Sequence, residues 1–183
     1  MVLLVRVLLV CALGAGAAQR AGAQVVAEGS EGGIKLSAGG TGSWTYLQYG
    51  NSKVVGPAVF VDADTERRWG IEAEGKWLDF HENANVHAET YSIGLRYHFD
   101  WRRFEPYAKG LVGFGDFNFP YNYAHGRYLT VTAGGGMDIP LGRRFEVRAP
   151  DVEWQYWPGF TFGAMNTVSV SAGFRVRVFG TPQ

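Results

Sequence analysis

Apolar residues recur at every second position over most of this chain, and this alternation limits its possible folds more than any other feature. It is clearest in 168–178, where one face carries Val168, Val170, Ala172, Phe174, Val176 and Val178 and the other carries Ser169, Ser171, Gly173, Arg175 and Arg177. Successive side chains of a β-strand point to opposite faces, so this period predicts a strand with one apolar face. Almost no segment after residue 30 has the 3.6-residue period of a helix.

Eight segments of this kind predict eight strands. They are 34–41, 56–62, 69–77, 90–99, 107–115, 128–139, 145–157 and 168–178. In the seventh segment the apolar phase changes after Pro150, which predicts a β-bulge. The run Gly134–Gly136 predicts a sharp bend of the sheet, because a strand glycine often marks a bend. The chain is therefore predicted to be all-β.

The polar faces of these strands carry full charges in mid-strand, at Glu72, Glu74, Lys76, Arg96, Lys109, Asp138, Glu146, Arg148, Arg175 and Arg177. A membrane barrel turns its apolar face to lipid and lines its lumen with the polar face, whereas a soluble barrel turns the apolar face inward. Aromatic residues cluster near strand ends, as in interfacial girdles, at Trp69, Trp77, Tyr97, Phe99, Tyr128, Trp154 and Tyr156. We predict an eight-stranded antiparallel up-and-down transmembrane β-barrel. An exported soluble lipid-binding barrel is the alternative.

Residues 1–23 have the pattern of a secretory signal peptide. Arg6 supplies the positive charge, Val7–Ala18 is apolar but too short to span a bilayer, and Ala21–Ala23 offers small residues for cleavage before Gln24. We divide the remainder into a short periplasmic segment, 24–32, the barrel, 33–179, and a C-terminal tail, 180–183.

The chain has one cysteine, Cys11, and it lies in the signal peptide. Val10 precedes it where a lipoprotein anchor needs a small residue, so we exclude that anchor. A cleaved chain would have no disulfide, thiolate metal site or cysteine nucleophile. The formal net charge of zero argues against a nucleic-acid partner, which normally requires a basic excess.

The predicted connections differ in length according to their place in the chain. Short connections follow even-numbered strands, at 65–67, 100–103 and 141–144, and each contains or adjoins an arginine pair. Longer connections follow odd-numbered strands, at 43–55, 81–86, 116–126 and 158–167. Outer-membrane barrels have short periplasmic turns and longer extracellular loops. The arginine pairs and both termini are therefore predicted to lie on the periplasmic side.

Three segments carry a resemblance to a known family: Val54–Pro57, Phe104–Tyr107 and Arg148–Gln155. They are similar to a bacterial group named outer membrane protein beta-barrel domain. The eight-strand pattern resembles the outer-membrane superfamily that includes the OmpA transmembrane domain and OmpX. The resemblance covers about residues 33–179 and implies an outer-membrane barrel without a uniform activity.

The chain departs from this family at its end. We expect no peptidoglycan-binding domain after the barrel, because the sequence stops at Gln183. The usual assembly signal ends on an aromatic residue in phase with the lipid face. Phe179 is aromatic, but it is out of phase with Phe174.

Residues that could perform chemistry are scattered. His81, Glu82, His87 and Glu89 flank one predicted loop and could together bind a divalent metal, but a solvated hairpin tip is the favoured interpretation. Ser43, Ser52, His81, His125 and Glu82 supply parts of a hydrolase triad without any characteristic spacing. His98 is interpreted as a hydrogen-bonded structural residue, and His125 as a lone loop histidine. We predict no catalytic, cofactor or metal site, and we do not expect an enzyme.

The predicted lumen holds charges of both signs. Six acids, Asp62, Glu72, Glu74, Asp138, Glu146 and Glu153, oppose seven bases, Lys35, Lys76, Arg96, Lys109, Arg148, Arg175 and Arg177. The interior of an eight-stranded barrel is only wide enough for side chains, so these charges are expected to pair and close it. A structural or surface-interaction role follows. A narrow porin-like channel for small solutes is the alternative.

The predicted outer loops are rich in aromatic residues and asparagine, at Trp44, Tyr46, Tyr49, Asn118, Phe119, Tyr121, Asn122, Tyr123, Phe160 and Phe162. Aromatic side chains are frequent at recognition surfaces, so these loops could contact an extracellular ligand. Girdle and loop packing is the simpler interpretation. The other expected partners are outer-membrane lipids and, during biogenesis, the barrel-assembly machinery. We expect a monomer.

Overall fold

The structure, a computed structural model, describes residues 33–47, 53–65, 68–79, 87–99, 101, 104–118, 125–160 and 163–179. The predicted signal peptide, the segment 24–32 and the tail 180–183 lie outside the described residues. The strands are β1 (Ile34–Leu47), β2 (Lys53–Thr65), β3 (Trp69–Asp79), β4 (His87–His98), β5 (Glu105–Asn118), β6 (His125–Pro140), β7 (Phe145–Trp157) and β8 (Met165–Phe179). Within this described part, no helix is long and apolar enough to cross a membrane.

The eight strands form a closed barrel in which each strand pairs antiparallel with its sequence neighbour. The first and last strands complete the ring, with Trp44 opposite Val170 and Gly42 opposite Ala172. This confirms the predicted strand number and the up-and-down antiparallel topology.

The alternation of side chains follows the predicted faces. In β4, Ile93 and Leu95 are more than half exposed on the outer surface, whereas Arg96 is completely buried in the lumen. In β2, Val61 is exposed and its neighbour Asp62 is fully buried. Apolar residues therefore face outward and charged residues face inward, which is the pattern of a membrane barrel and excludes the soluble alternative.

The strands extend further than predicted at one end, so the connections there are shorter. The alternation of β1 continues through Thr45 to Leu47, and β2 begins at Lys53. We call the end with connections 48–52, 80–86, 119–124 and 158–164 the loop end. The opposite end, with connections 66–68, 99–104 and 141–144 and both ends of the barrel sequence, is the turn end. The connections at the loop end are longer than those at the turn end, as predicted, but the difference is small.

Bulges set the inward face of two strands. The register between β7 and β8 shifts between Arg148 and Asp151, which confirms the bulge predicted at Pro150. Because Ala149 and Pro150 are both accommodated there, Arg148 and Asp151 both point into the lumen. A shift between β1 and β8 places Phe179 opposite the outward-facing Leu36. Phe179 is 69% exposed, so the bulge returns it to the outer face and the phase mismatch predicted from sequence is wrong.

Candidate functional site

The lumen of the turn half is filled by what we call the charge network. Thirteen buried charged residues of the described chain form it: Asp62, Asp64, Glu72, Glu74, Lys76, Arg96, Lys109, Asp138, Glu146, Arg148, Asp151, Glu153 and Arg175. They come from seven strands, all except β1. The period of two places them there because each lies on the polar face of its strand.

Three arginines form the centre of the charge network by sharing two aspartates. Asp62 accepts from Arg96 at 2.5 Å and from Arg148 at 2.8 Å, and Arg175 Nε lies 3.0 Å from it. Asp138 accepts from Arg148 Nε at 3.0 Å, and it also pairs with Arg96 and Arg175. Each carboxylate therefore neutralises several guanidinium groups, and each arginine binds several carboxylates.

Two aromatic rings pack against these arginines. The Arg148 guanidinium carbon lies 3.7 Å from the Phe60 ring centroid, and the Arg96 guanidinium carbon lies 3.9 Å from that of Tyr107. A guanidinium over an aromatic face is attracted by the ring quadrupole. A Cβ at Gly39 would overlap the Phe60 ring, so glycine at this position lets Phe60 reach into the lumen. The rings fill space that water would otherwise occupy.

Two lysines extend the charge network toward the loop end. Lys109 Nζ donates to Glu72 at 2.8 Å and to Asp151 at 3.0 Å, and it also pairs with Glu74 and Glu153. Lys76 pairs with Glu153 and lies 3.2 Å from Glu74. One ammonium group therefore holds four carboxylates from two strands.

The charge count differs from the prediction. Among the described residues the buried set has eight carboxylates and five bases, not six against seven. Asp64 joins because β2 extends to Thr65, and Asp151 joins because the bulge turns it inward. Lys35 is only half-buried at the turn end. Arg177 lies at the same end and pairs with Glu146, which reduces the excess of acid.

One carboxylate cluster has the spacing of a metal site. Glu74, Asp151 and Glu153 offer oxygen atoms within 4.8 Å of one another. Lys109 contacts all three of them and Lys76 contacts two. Because ammonium groups already neutralise these oxygens, the cluster is better described as part of the charge network than as a metal site.

The structure describes only some of the histidines, serines and glutamates considered as candidates for chemistry. His98 Nε2 lies 2.8 Å from Asp64 Oδ1, which confirms its predicted hydrogen-bonded role. Glu89 lies on the outer face and accepts from Tyr91. His81, Glu82 and Ser52 lie outside the described residues, as do the side chains of His87 and His125. His125 begins β6 and is not a loop residue as predicted.

A belt of hydroxyl groups lies between the charge network and the loop end. It is most regular where β1 meets β8: Thr45 pairs with Ser169 at 2.8 Å, and Ser171 donates to Ser43 at 2.8 Å. On β7, Gln155 donates to Thr132 at 3.1 Å. Ser43, predicted in a loop, is therefore a lumen residue of β1. These neutral pairs satisfy buried polar groups without adding charge.

The loop end of the lumen is closed by an apolar cluster that the sequence analysis missed. This apolar plug consists of Leu47, Val54, Leu78, Ala88, Phe117, Trp157, Phe160 and Met165, with Tyr128 packed against them. Each of the eight strands contributes one residue, and the connection 158–164 contributes Phe160. A Cβ at Gly115 would overlap the Trp157 ring, so glycine there makes room for it.

Ring contacts hold the apolar plug together. Phe160 packs edge-on against Phe117, with ring centroids 5.3 Å apart, and lies tilted against the Tyr128 ring at 5.1 Å. Trp157 is 2% exposed and its indole nitrogen donates to Gln155 at 3.2 Å. The only polar group of this indole therefore reaches the hydroxyl belt, while the ring covers the lumen.

Several aromatic residues predicted in outer loops have other positions. Trp44 and Tyr46 lie on the outer face of β1, about half exposed, and belong to the girdle. Phe160 lies in the apolar plug. Tyr49, Phe119, Tyr121, Asn122, Tyr123 and Phe162 lie outside the described residues, as does the side chain of Asn118.

The outer surface has an apolar band with clear limits. From Tyr91 on β4 the band runs to Phe99, just after that strand, and on β6 it runs from Leu129 to Ile139, which is nine and eleven residues. A strand needs about 9–11 residues to cross a bilayer. Polar side chains replace the apolar ones beyond this band at the loop end, at Lys53, Asp79, Glu89, Asp116, Arg127 and Asn166. The strands therefore project past the bilayer at that end.

Comparison with known proteins agrees with this architecture. The family model described as outer membrane protein beta-barrel domain matches residues 7–178. No curated protein matches the sequence significantly.

Solved structures of similar fold are outer-membrane barrels. Neisserial surface protein A is 10% identical, with a TM-score of 0.66 over 81% of this chain and 99% of that one. The outer membrane protein OprG of Pseudomonas aeruginosa is 12% identical, with a TM-score of 0.53 over 79% and 95%. The N-terminal barrel domain of OprF from the same species is 16% identical, with a TM-score of 0.51 over 78% and 99%. At these identities the likeness establishes the fold alone.

Proposed function

The chain belongs to the outer membrane protein beta-barrel domain family, and from that premise we propose that it is a structural or surface-interaction protein whose lumen does not conduct. The observation that carries this proposal is that two different barriers fill the lumen in series. The apolar plug fills the loop end, and the charge network fills the turn half.

The apolar plug opposes the passage of ions because its side chains are apolar, apart from the Tyr128 hydroxyl and the Trp157 indole nitrogen, which donates to Gln155. Its residues from all eight strands are at most 8% exposed, apart from the half-buried Tyr128. Moving an ion through such a segment removes its hydration without replacing it, which is costly. Hydrophobic constrictions close channels in this way.

The charge network opposes passage because its charges already bind one another. Arg96, Arg148, Asp62, Glu72 and Asp138 are completely buried and interact across the lumen. A conducting path would require these ion pairs to open, and a separated buried charge costs several kcal/mol. A selective pore instead places charges of one sign around open water.

The proposal extends to placement in the cell. We propose that residues 1–23 are cleaved, that the turn end faces the periplasm and that the loop end faces the exterior. The short turns and the location of both barrel termini at the turn end support this orientation. Loops 48–52, 80–86, 119–124 and 158–164 would then be available to an extracellular ligand, and the barrel-assembly machinery would insert the chain as a monomer.

We propose no catalytic role. The hydroxyl groups of Ser43 and Ser171 bind each other inside the lumen, and His98 binds Asp64. These contacts support structural roles for Ser43 and His98.

Conductance in planar bilayers tests the closed lumen. The folded monomer, purified to homogeneity, is expected to give no stable channel, while a general porin in the same bilayer gives a positive control. Far-UV circular dichroism of the same sample verifies that it contains folded β-structure. Reproducible ion-selective channels from the homogeneous monomer would contradict the proposal and support the porin-like alternative.

A further inference from the structure

The three connections of the turn end share a sequence pattern that the closed lumen does not explain. Each contains two arginines followed by an aromatic residue: Arg67-Arg68-Trp69, Arg102-Arg103-Phe104 and Arg143-Arg144-Phe145. The aromatic residue is exposed in all three, at 53%, 45% and 59%. Arg67, Arg102 and Arg103 lie outside the described residues, so the structural case depends on the other arginines.

Other exposed apolar side chains lie in these three connections and at the strand ends beside them. Trp101 and Leu141 lie in the connections themselves and are 68% and 66% exposed. Phe99 and Phe179, about half and two-thirds exposed, lie at the adjoining strand ends. Tyr97 packs edge-on between Trp69 and Phe99, with ring centroids 4.9 Å from each. Together they continue the lipid-facing band to the very edge of the barrel.

The two ends of the barrel differ in charge. Among described charged residues that are at least partly exposed, the turn end has five bases and one acid: Lys35, Arg68, Arg143, Arg144, Arg177 and Glu105. Arg177 pairs with the buried Glu146, so it does not add to the surface excess. The loop end has two bases and three acids: Lys53, Arg127, Asp79, Glu89 and Asp116. At the loop end, moreover, Arg127 is neutralised by Asp116 through two hydrogen bonds of 3.0 and 3.1 Å.

The basic residues are held beside the lipid-facing ones by the backbone. The Arg177 N–H donates to the Arg144 carbonyl at 2.8 Å, which fixes the turn 141–144 against the end of β8. Arg144 immediately precedes Phe145, and a strand residue rises only about 3.3 Å, so its guanidinium lies within reach of the interface that the aromatic ring enters. Arg143 and Arg144 are both exposed.

We infer that this turn-end surface, formed by Arg143, Arg144 and the exposed Trp69 and Phe145, binds the headgroups of anionic phospholipids in the leaflet that it meets. The aromatic rings fix its depth in the bilayer and the guanidinium groups pair with the lipid phosphates. A membrane is favoured over a soluble partner because each arginine pair directly adjoins a lipid-facing side chain. The inference rests on the proposed orientation, which would place this surface at the phospholipid leaflet on the periplasmic side.

Native mass spectrometry of the folded full chain tests this. The detergent-solubilised protein is titrated with phosphatidylglycerol and, separately, with phosphatidylcholine of the same chains, and bound lipids are counted. The wild type is expected to bind phosphatidylglycerol at a lower lipid concentration than it needs to bind phosphatidylcholine. Arg143→Gln/Arg144→Gln is expected to weaken this binding about fivefold for each charge removed and about 30-fold for the pair, from about 1 kcal/mol per base near an anionic lipid surface.

Two further variants make the result specific. Lys53→Gln/Arg127→Gln removes the same number of charges from the loop end and is expected to keep the preference. Arg143→Lys/Arg144→Lys keeps both charges and is expected to retain most of it. The preference is also expected to diminish between 0.1 and 1 M salt, as the screening length decreases from about 10 to 3 Å.

The inference is wrong if the wild type retains both lipids equally, or if Arg143→Gln/Arg144→Gln keeps the wild-type preference. It is also wrong if the arginines govern binding to purified peptidoglycan but not to phosphatidylglycerol. Conductance is measured separately, so a channel would overturn the closed lumen without affecting lipid preference. If labelling places the turn end outside the cell, the proposed orientation is wrong. The measured affinity for the lipid headgroup would still hold, because it does not depend on orientation.

Discussion

Replacing Arg148 by methionine is expected to destabilise the folded barrel strongly, because it removes one positive charge from the centre of the charge network. Arg148 is completely buried and donates to Asp62 at 2.8 Å, to Glu72 at 3.1 Å and to Asp138 at 3.0 Å. Methionine is unbranched and occupies the space of the aliphatic part of the arginine side chain. The change therefore keeps the aliphatic packing and removes the charge, the hydrogen bonds and the guanidinium contact with the Phe60 ring.

The magnitude follows from the carboxylates left behind. Removing one partner of a buried ion pair costs about 3–5 kcal/mol, because the other charge stays buried without compensation. Asp62 and Asp138 keep Arg96 and Arg175, and Glu72 keeps Lys109, so none of the three is left alone. We therefore expect a loss of about 3 kcal/mol, at the lower end of that range.

Urea unfolding of the protein in lipid vesicles, followed by tryptophan fluorescence, measures the change. Arg127→Met is the matched control, since it makes the same substitution at an arginine that also forms bidentate contacts with an aspartate. Arg127 and Asp116 are exposed on the outer surface, with side-chain exposures of 71% and 45%. Exposed pairs contribute little, so the unfolding midpoint of this control is expected to stay at the wild-type value.

A second variant tests the cause. In Arg148→Met/Asp62→Asn one of the carboxylates that lose Arg148 as a partner is also neutralised, so the double variant should lose less stability than the sum of the two single ones. Equal destabilisation by Arg148→Met and Arg127→Met, or strict additivity with Asp62→Asn, would refute the claim that the buried charges stabilise the barrel by pairing.

Three other predictions concern the surface and the ends of the chain. Ile93→Arg, at a lipid-facing site in mid-strand, should cost about 2–4 kcal/mol in vesicles, whereas Phe145→Arg at the turn end should cost about 0–1 kcal/mol; equal costs would show that the lipid-facing band is misplaced. A cysteine introduced at Asn122 should react with an impermeant reagent on intact cells and one at Arg102 should not, and the reverse pattern would invert the topology. Intact-mass analysis of the membrane-extracted protein should give a chain beginning at Gln24, and a retained Met1 would refute cleavage.

Much of the barrel could be predicted from sequence because a period of two assigns both the strand and its faces. Val168–Val178 and Tyr91–Phe99 alternate without interruption, and the structure keeps each face as predicted. The strand ends were less accurate. Gly40 and Gly42 interrupt the apolar face of β1, so the sequence analysis places the alternation of Trp44 and Tyr46 with Thr45 in a loop.

The contents of the lumen were predicted only in part, because alternation alone reveals neither a bulge nor an apolar residue on the inward face. One bulge in β7 adds Asp151 to the charge network, and a second bulge, where β1 pairs with β8, returns Phe179 to the outer face. The apolar plug was missed because an inward-facing Leu47 or Phe117 contradicts the rule that polar residues face the lumen. Its signal was nevertheless present, as one apolar residue at the loop end of the inward face of every strand.

The seam between β1 and β8 gives this barrel a particular folding problem. Seven of the eight strand pairs are hairpins that can form locally, but the seam joins residues as far apart as Ser43 and Ser171. Contacts at such separation form slowly, because the chain loses much loop entropy before they contribute. Until the seam closes, Arg175 on β8 cannot meet Asp62 and Asp64 on β2, and both edge strands stay open to mispairing. Ring closure is therefore the step that completes the neutralisation of the interior charges, whereas pairs between neighbouring strands such as Arg148 with Asp138 can form before it.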